Sequence, residues 1–455
     1  MFPVCKKVEK TSANMKILHL ASQDIGGGGG AFEASYRLHC NMKAAGVDSV
    51  MVVLNKTSKD ETVFEYSDGM TIPVSFRRIR RNLRMKLLRR YYQPRKYFYV
   101  DDPQIVSAQR VAAIAPFVPD VIIAHWISNF LTAGNLHELS LLTGAPVLLY
   151  LIDIGPLTGG CHYSLNCTGY TRQCGICPQL KSGSGKKDLS FSQWRVRHDA
   201  VQNMDITPVA GSAWLMDRVA ESSIFCDKPA KKIMLGLKTD VFCPLDQAEA
   251  RQKLGLPLER KIIFFGAANI HEERKGLRYL IESLRKLYVM LEGNLLLRDD
   301  IMVVIAGSLD NSATKLDILF EHRHIGFLRG DIMLAAGYQS ADIFVNASVE
   351  DAGPMMINES ILCGTPVVSF DMGVAPDLVK TGSTGYCASL RDSDDMAFGL
   401  FQLLAMDDVA RTNMRSECRI LGVKLCHSDV QVRSFMELCT LRVSEAHVKL
   451  SGRTK

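Results

Sequence analysis

Short apolar runs recur along the chain, and between them apolar residues fall at helical spacing. Buried strands are predicted at Met15–Leu20, Asp48–Leu54, Pro119–Ala124, Ala145–Leu151, Asp205–Gly211 and Lys231–Leu235. Further runs are IIFFGAAN at 262–269, IMVVIAG at 301–307, IFV at 343–345 and Val367–Phe370. Helical patterns follow many of them: residues 31–46, Ala213–Ser222, the stretch from Leu277 onward, Pro354–Cys363, 395–407 and 408–424. Strands alternating with helices predict a parallel α/β architecture. No internal repeat is evident. No uninterrupted apolar segment reaches the ~18 residues of a membrane-spanning helix.

Composition refines this picture only slightly. The 455 residues suffice for two or three domains, and 47% hydrophobic with 22% charged residues is a globular balance. The opening MFPVCKKVEKTSAN lacks the apolar core of a signal peptide. Residues 1–14 are expected to be a disordered extension, with Met15 a candidate start. Thirteen cysteines, mostly in apolar contexts, fit a reducing cytoplasm better than a disulfide scaffold. The net charge of +6 is mild, but residues 76–100 hold ten Arg or Lys and no acid. Phe76, Ile79, Leu83 and Leu87 recur there at helical spacing, which makes a basic amphipathic helix. An anionic membrane surface is the preferred partner; a solvated helix, an arginine-lined acceptor cleft and nucleic acid are the alternatives.

The chemistry concentrates in NASVEDAGPMMINESILCGTPVVSF, Asn346–Phe370, which reads as strand, loop, helix and strand. Asp351 lies in the loop and Glu359 in mid-helix, among Met355, Met356, Ile357, Ile361 and Leu362. A carboxylate in so apolar a helix costs several kcal/mol unless donors reach it, roughly 2–7 kcal/mol even for a neutral polar group. A ribose would supply such donors; pairing with a basic residue of the protein is the alternative. The helix start at Gly353, Pro354 and Met355 offers amides and a positive dipole suited to a diphosphate.

Four other places carry candidate chemistry. Gly27, Gly28 and Gly29 lie in a five-glycine loop between the first strand and its helix, where backbone amides can approach a ligand closely. No acidic residue suited to a dinucleotide ribose follows the next strand, which weighs against a nicotinamide enzyme. His125 and Asp153 fall at strand ends, where open α/β sheets bind ligands. Cys161, Cys167, Cys174 and Cys177, spaced C-x5-C-x6-C-x2-C, suit a structural zinc, with reduced thiols or disulfides as alternatives. Arg274 and Lys275, just ahead of a helix, could neutralise a diphosphate.

Asp351 and Glu359 resemble the E-x7-E signature of the family-four retaining glycosyltransferases, with Asp in place of the first Glu. CGTPVVSF and GVAPDLVKTGSTGY resemble the same family. TGGCHY…C…CGICPQL resembles a subset acting in surface-polysaccharide synthesis. The resemblance spans roughly Met15 to Leu425 and implies the GT-B fold, two facing Rossmann-like domains with parallel sheets and an interdomain donor cleft. The expected organisation is an acceptor-side domain at 15–245, with its cysteine knuckle at 158–180, and a nucleotide-sugar domain at 246–425. A C-terminal helix at 426–455 would pack back on the first domain. In the family the second acid, here Glu359, holds the donor ribose, and the first, here Asp351, contacts the donor sugar. Lys275 matches the family's diphosphate Lys; its Arg slot is Ala267 here, with Arg274 as the candidate substitute. Gly27–Gly29 would lie near the donor phosphates and acceptor, and His125 and Asp153 on the acceptor side.

The resemblance thus implies transfer of a sugar from a UDP- or GDP-sugar to a glycan or lipid-linked acceptor with retention. The protein would work in the cytoplasm, on the inner face of the membrane, with no nucleic-acid partner. No D-x-D motif sits in a donor loop, so no catalytic divalent metal is expected. A nucleotide-sugar epimerase on the same fold and a non-catalytic binding protein are the rival readings.

Overall fold

A computed structural model describes residues 15–25, 30–67, 79, 83, 86–87, 97–101, 106–181, 187–308, 316–353 and 355–452. The expected extension at 1–14, the loop glycines Gly27, Gly28 and Gly29, and Pro354 lie outside these residues. The chain forms two compact units. One comprises the chain up to Gly211, Leu215–Ile233 and Gln431–Lys455; the other comprises Ser212–Trp214 and Met234–Val430.

The first unit carries a sheet of β1 (Lys16–Gln23), β2 (Asp48–Asn55), β3 (Val63–Glu65), β4 (Val121–Ala124), β5 (Val147–Leu151), β6 (Ile206–Ala210) and β7 (Lys231–Lys232). Its order is β3-β2-β1-β4-β5-β6-β7, and every neighbouring pair is parallel. β4, β5 and β6 are buried along their whole length, as the near-continuous apolar runs of a two-sided parallel sheet require. The last helix, Ser428–Gly452, contributes to this core. Gln431 donates to the Tyr150 hydroxyl at 3.0 Å, and Phe435 packs edge-on to the same ring.

The second unit carries β8 (Lys261–Asn269), β9 (Ile301–Ser308), β10 (Glu321–His324), β11 (Ile343–Asn346), β12 (Val367–Phe370) and β13 (Gly385–Ala388). The order is β10-β9-β8-β11-β12-β13, again parallel throughout. Alternate strand residues enter two separate cores. Ile263, Phe265, Val303 and Ile305 pack with Leu280 and Leu284, whereas Ile262, Phe264, Met302 and Val304 pack with Tyr338 and Ile361. Helices therefore cover both faces.

Residues 234–245 belong to the second unit rather than the first. Leu237 bridges His427 in parallel and its N–H donates to the Cys426 carbonyl at 2.8 Å, while Arg419 donates to the Thr239 and Phe242 carbonyls. Each sheet reverses its strand order once, between β1 and β4 and between β8 and β11. The carboxyl ends of the strands at such a reversal form a crevice for ligands.

Candidate functional site

At the reversal in the second sheet, two loops are tied to each other. After β8 a single 3-10 turn, Glu273–Lys275, ends at Gly276 in the left-handed region, and the helix Leu277–Met290 begins. A Cβ at Gly276 would lie 1.8 Å from the Ala347 carbonyl oxygen, so only glycine lets this turn meet the loop after β11. The Val349 N–H then donates to the Arg274 carbonyl at 2.8 Å.

This stitching brings three of the expected residues together. Arg274 Nη1 and Lys275 Nζ both reach Asp351 Oδ2, at 2.8 and 2.7 Å. Arg274 Nε also donates to Glu272 at 2.7 Å, and the Asp351 N–H faces the Met372 sulfur at 3.0 Å. Burial alone would raise the Asp351 carboxyl, but Lys275 and Arg274 outweigh it and hold it at about 2. The group is a carboxylate at any physiological pH. Gly353 leaves open space where its Cβ would be, and Met355 opens the helix Met355–Leu362, half-buried.

Glu359 lies inside that helix, 1% exposed, as its apolar surroundings predict. The Tyr338 hydroxyl donates to Glu359 Oε2 at 2.7 Å. Tyr338 comes from the helix Asp331–Ser340 and is itself fully buried, a partner the local sequence around Glu359 does not reveal.

In the first sheet the reversal gathers a different set. His125, just after β4, is buried; its Nε2 lies 2.9 Å from His19 Nδ1 and its ring stacks on that imidazole. Burial, with a smaller contribution from nearby His39, lowers it to about 3, so it is neutral at physiological pH. Trp126, the next residue, reaches Asp153: its Nε1–H donates to Oδ2 at 2.9 Å. Asp153 Oδ2 also faces His162 Nδ1 at 2.5 Å, and Oδ1 accepts from the Gly155 N–H at 2.7 Å. His162 comes from the TGGCHY motif, and its Nε2 lies 3.1 Å from Ser128 Oγ. In the sequence the four cysteines of this motif draw attention away from its histidine. The available signal was a second polar residue nine positions beyond Asp153.

Two of the four motif cysteines belong to a small core, while Cys174 is buried and Cys167 half-buried. Cys161 and Cys177 pack with Phe98, Val100 and Leu180. Gly159 and Gly169 N–H groups donate to Cys174 and Cys167 sulfurs at 3.2 and 3.4 Å. Arg197 binds the segment from below, donating to the Gly155 and Thr158 carbonyls at 2.6 and 2.8 Å while forking onto Asp101. Among the described residues no group of three or more His, Cys, Asp or Glu is placed to hold a metal ion, and the described cysteines are free thiols. Packing and Arg197 hold this segment in place. In the basic segment Ile79, Leu83 and Leu87 are helical and exposed. Among the described residues no helix is long and apolar enough to cross a membrane.

Residues 246–419 match the family of glycosyl transferases group 1. The matched segment contains Arg274, Lys275, Asp351 and Glu359. A D-inositol 3-phosphate glycosyltransferase from Mycobacterium sp. (strain JLS) is 30% identical over 183 residues, which are 37% of this chain and 38% of that protein. The chain spans about two fifths of the length of the curated relatives it matches. Among solved structures, sucrose-phosphate synthase from Thermosynechococcus elongatus aligns with a TM-score of 0.63 at 15% identity, over 95% of this chain and all of the other. Anabaena Alr3699/HepE, solved in complex with UDP and glucose, aligns with a TM-score of 0.61 at 15% identity, over 94% and 99% of the two chains. The fold is GT-B: two Rossmann-like α/β domains, each built on a parallel sheet.

Proposed function

We propose that this chain is a retaining glycosyltransferase of the hexosyl type, taking its sugar from a UDP- or GDP-sugar. The observation that carries this reading is the convergence of Arg274, Lys275 and Asp351 at the strand-order reversal of the segment that matches the family. In this reading the two cations exchange the Asp351 carboxylate for oxygens of the donor diphosphate as it binds. They then stabilise the charge that develops as the diphosphate departs. Asp351, released, orients hydroxyls of the donor sugar, Glu359 holds the ribose, and Gly353 and Met355 flank the phosphates. Arg274 and Lys275 would do the neutralising that a divalent ion does elsewhere.

The acceptor is a glycan, lipid-linked, in surface-polysaccharide synthesis, with His125 and Asp153 on the acceptor side. The basic segment 76–100 would hold the protein to the anionic inner face of the membrane from the cytoplasm. That Anabaena Alr3699/HepE was solved with UDP favours testing UDP first.

Calorimetric titration of the protein with UDP and with GDP tests the donor site. Micromolar binding of one nucleotide is expected, weakened at least about tenfold by Glu359→Ala, the loss of a hydrogen bond to a charged group. No binding of either nucleotide by the folded protein, or equal binding by the variant, would sink the reading.

A further inference from the structure

We infer that His19, His39 and His125 form an acid-sensitive switch in the first unit: packed together neutral they join β1, β4 and the helix Gly30–Ala44, and taking up protons releases that packing. The inference needs no ligand and is independent of the transferase reading.

The three rings come from three elements. His19 lies in β1, His39 in the helix Gly30–Ala44, and His125 directly after β4, where its N–H donates to the Leu20 carbonyl at 2.9 Å. Their exposures are 0, 0 and 2%. His19 Nδ1 lies 2.9 Å from His125 Nε2, and the ring centres of His19 and His39 are 5.5 Å apart. One proton serves the contact between His19 and His125. Whichever nitrogen carries it, the outer nitrogens, His19 Nε2 and His125 Nδ1, are buried and meet no hydrogen-bonding partner among the described residues. A further proton on either ring would add a charged N–H with no acceptor, buried away from water.

Neighbouring charge makes this worse rather than better. The groups acting on His19 are His125 and His39, of like sign once protonated, and His39 acts on His125 as well. Tyr150, from β5, presents the edge of its ring to His125 at 5.9 Å. His39 is set differently: Ser49 Oγ, from β2, lies 2.8 Å from Nδ1, Thr62 Oγ1 2.9 Å from Nε2, and Asp60 Oδ2 4.0 Å from Nε2. Asp60 is shared, however. Lys43, one turn along the helix, reaches it at 3.0 Å, and the Tyr36 hydroxyl at 3.3 Å. Burial, then Lys43, lowers His39 to about 4 against the pull of Asp60. Burial lowers His125 to about 3 and takes His19 well below its ordinary value.

An imidazole of an unfolded chain titrates near 6.5, as a rough reference. A histidine whose folded value lies below that stabilises the fold fully above it, and the contribution is lost as the pH falls toward the folded value. Unfolding the first unit therefore takes up three protons across this interval, and acid drives it steeply. The neighbouring carboxylates respond lower. Burial raises Asp60, but Thr62 and Lys43 hold it well below the usual carboxylate range, and hydrogen bonds from Ser58 and Thr57 hold Asp24 at about 2. The window between about pH 6 and pH 5 belongs to the histidines.

Hydrogen exchange on the full chain, read by mass spectrometry on peptides from β1, β4 and the helix and corrected for the intrinsic rate, tests this. Between pH 7.5 and pH 5 the opening equilibrium of these elements should rise about 30-fold for each histidine, about 10,000-fold for the three. Peptides from β8 and β11 should show no such rise. His19→Gln should cut the rise about 30-fold even if the unit opens more readily at pH 7.5, a split that lost packing alone does not produce. An undiminished rise in His19→Gln, or an opening equilibrium independent of pH in the unmodified chain, would overturn the switch. Nitrogen-15 NMR of the unmodified chain at pH 5.5, with exchange protection still present, needs no variant. At least three of the eleven histidines should remain neutral there. Imidazolium signals from all eleven would refute the inference.

Discussion

Asp351 is a buried carboxylate whose charge state its two basic neighbours fix. Its carboxyl is lowered from 3.8 to about 2 although burial opposes this, because Lys275 and Arg274 stand within 2.8 Å. A carboxylate whose folded pKa is depressed stabilises the fold above its unfolded pKa and loses that contribution as pH falls through the folded one. That lowering corresponds to about 2 kcal/mol, present at neutral pH and lost between roughly pH 4 and 2. Asp351→Asn should therefore lower the unfolding midpoint at pH 7 and flatten its decline across that acid window. Denaturant titrations at pH 7 and pH 3 measure both; a variant as stable as the parent at pH 7 would contradict the assignment. The two acids were legible in the sequence because a carboxylate in an apolar helix or a Gly-flanked loop is an anomaly that needs a partner. Tyr338 was not, because it approaches Glu359 from another helix 21 positions upstream. His162 was hidden differently: a histidine beside a cysteine suggests metal, whereas here it turns toward Asp153.

At the scale of elements, the apolar runs located the central strands closely, and Val367–Phe370 coincides with β12. Of the edge strands only β7 was legible, within the run Lys231–Leu235. β10 is the sequence EHRH, exposed or half-exposed along its length, and its only claim to be a strand is its parallel pairing to β9. Pairing is a tertiary fact and leaves no periodicity in so short a polar run. The turn that carries Arg274 and Lys275 depends on one residue. Gly276 has φ of 72° and no room for a Cβ beside the Ala347 carbonyl. Gly276→Ala combines left-handed strain with a backbone clash and should cost about 2–4 kcal/mol. The loops after β8 and β11 would separate, so nucleotide affinity should fall together with stability. Chemical unfolding and calorimetry on the same preparation read both effects; lost affinity with unchanged stability would place Gly276 at the ligand instead of in the scaffold.

Over the whole molecule, the fold class followed from alternating strands and helices, while the division of the chain did not. Residues 234–245 read as the end of the first domain, yet Leu237 and Arg419 bind them to the second. Such contacts span nearly two hundred positions and have no local signature. Charge acts at this scale as well. The net charge of +6 is small, but ten basic residues fall within 76–100, where Ile79, Leu83 and Leu87 are exposed at four-residue intervals. Apolar residues on that spacing share one helical face, and leaving all three in water is unfavourable unless a surface covers them. An anionic bilayer offers both apolar depth and negative charge, at about 1 kcal/mol per basic residue near the surface. The protein should therefore sediment with vesicles containing phosphatidylglycerol and not with pure phosphatidylcholine. Raising salt to about 0.5 M should release most of it, since the Debye length falls to a few ångströms. Replacing Ile79, Leu83 and Leu87 together by serine should weaken binding at low salt and leave nucleotide affinity unchanged. Equal sedimentation with both vesicle types, or binding indifferent to the triple substitution, would remove the membrane from this segment and leave its arginines to the acceptor.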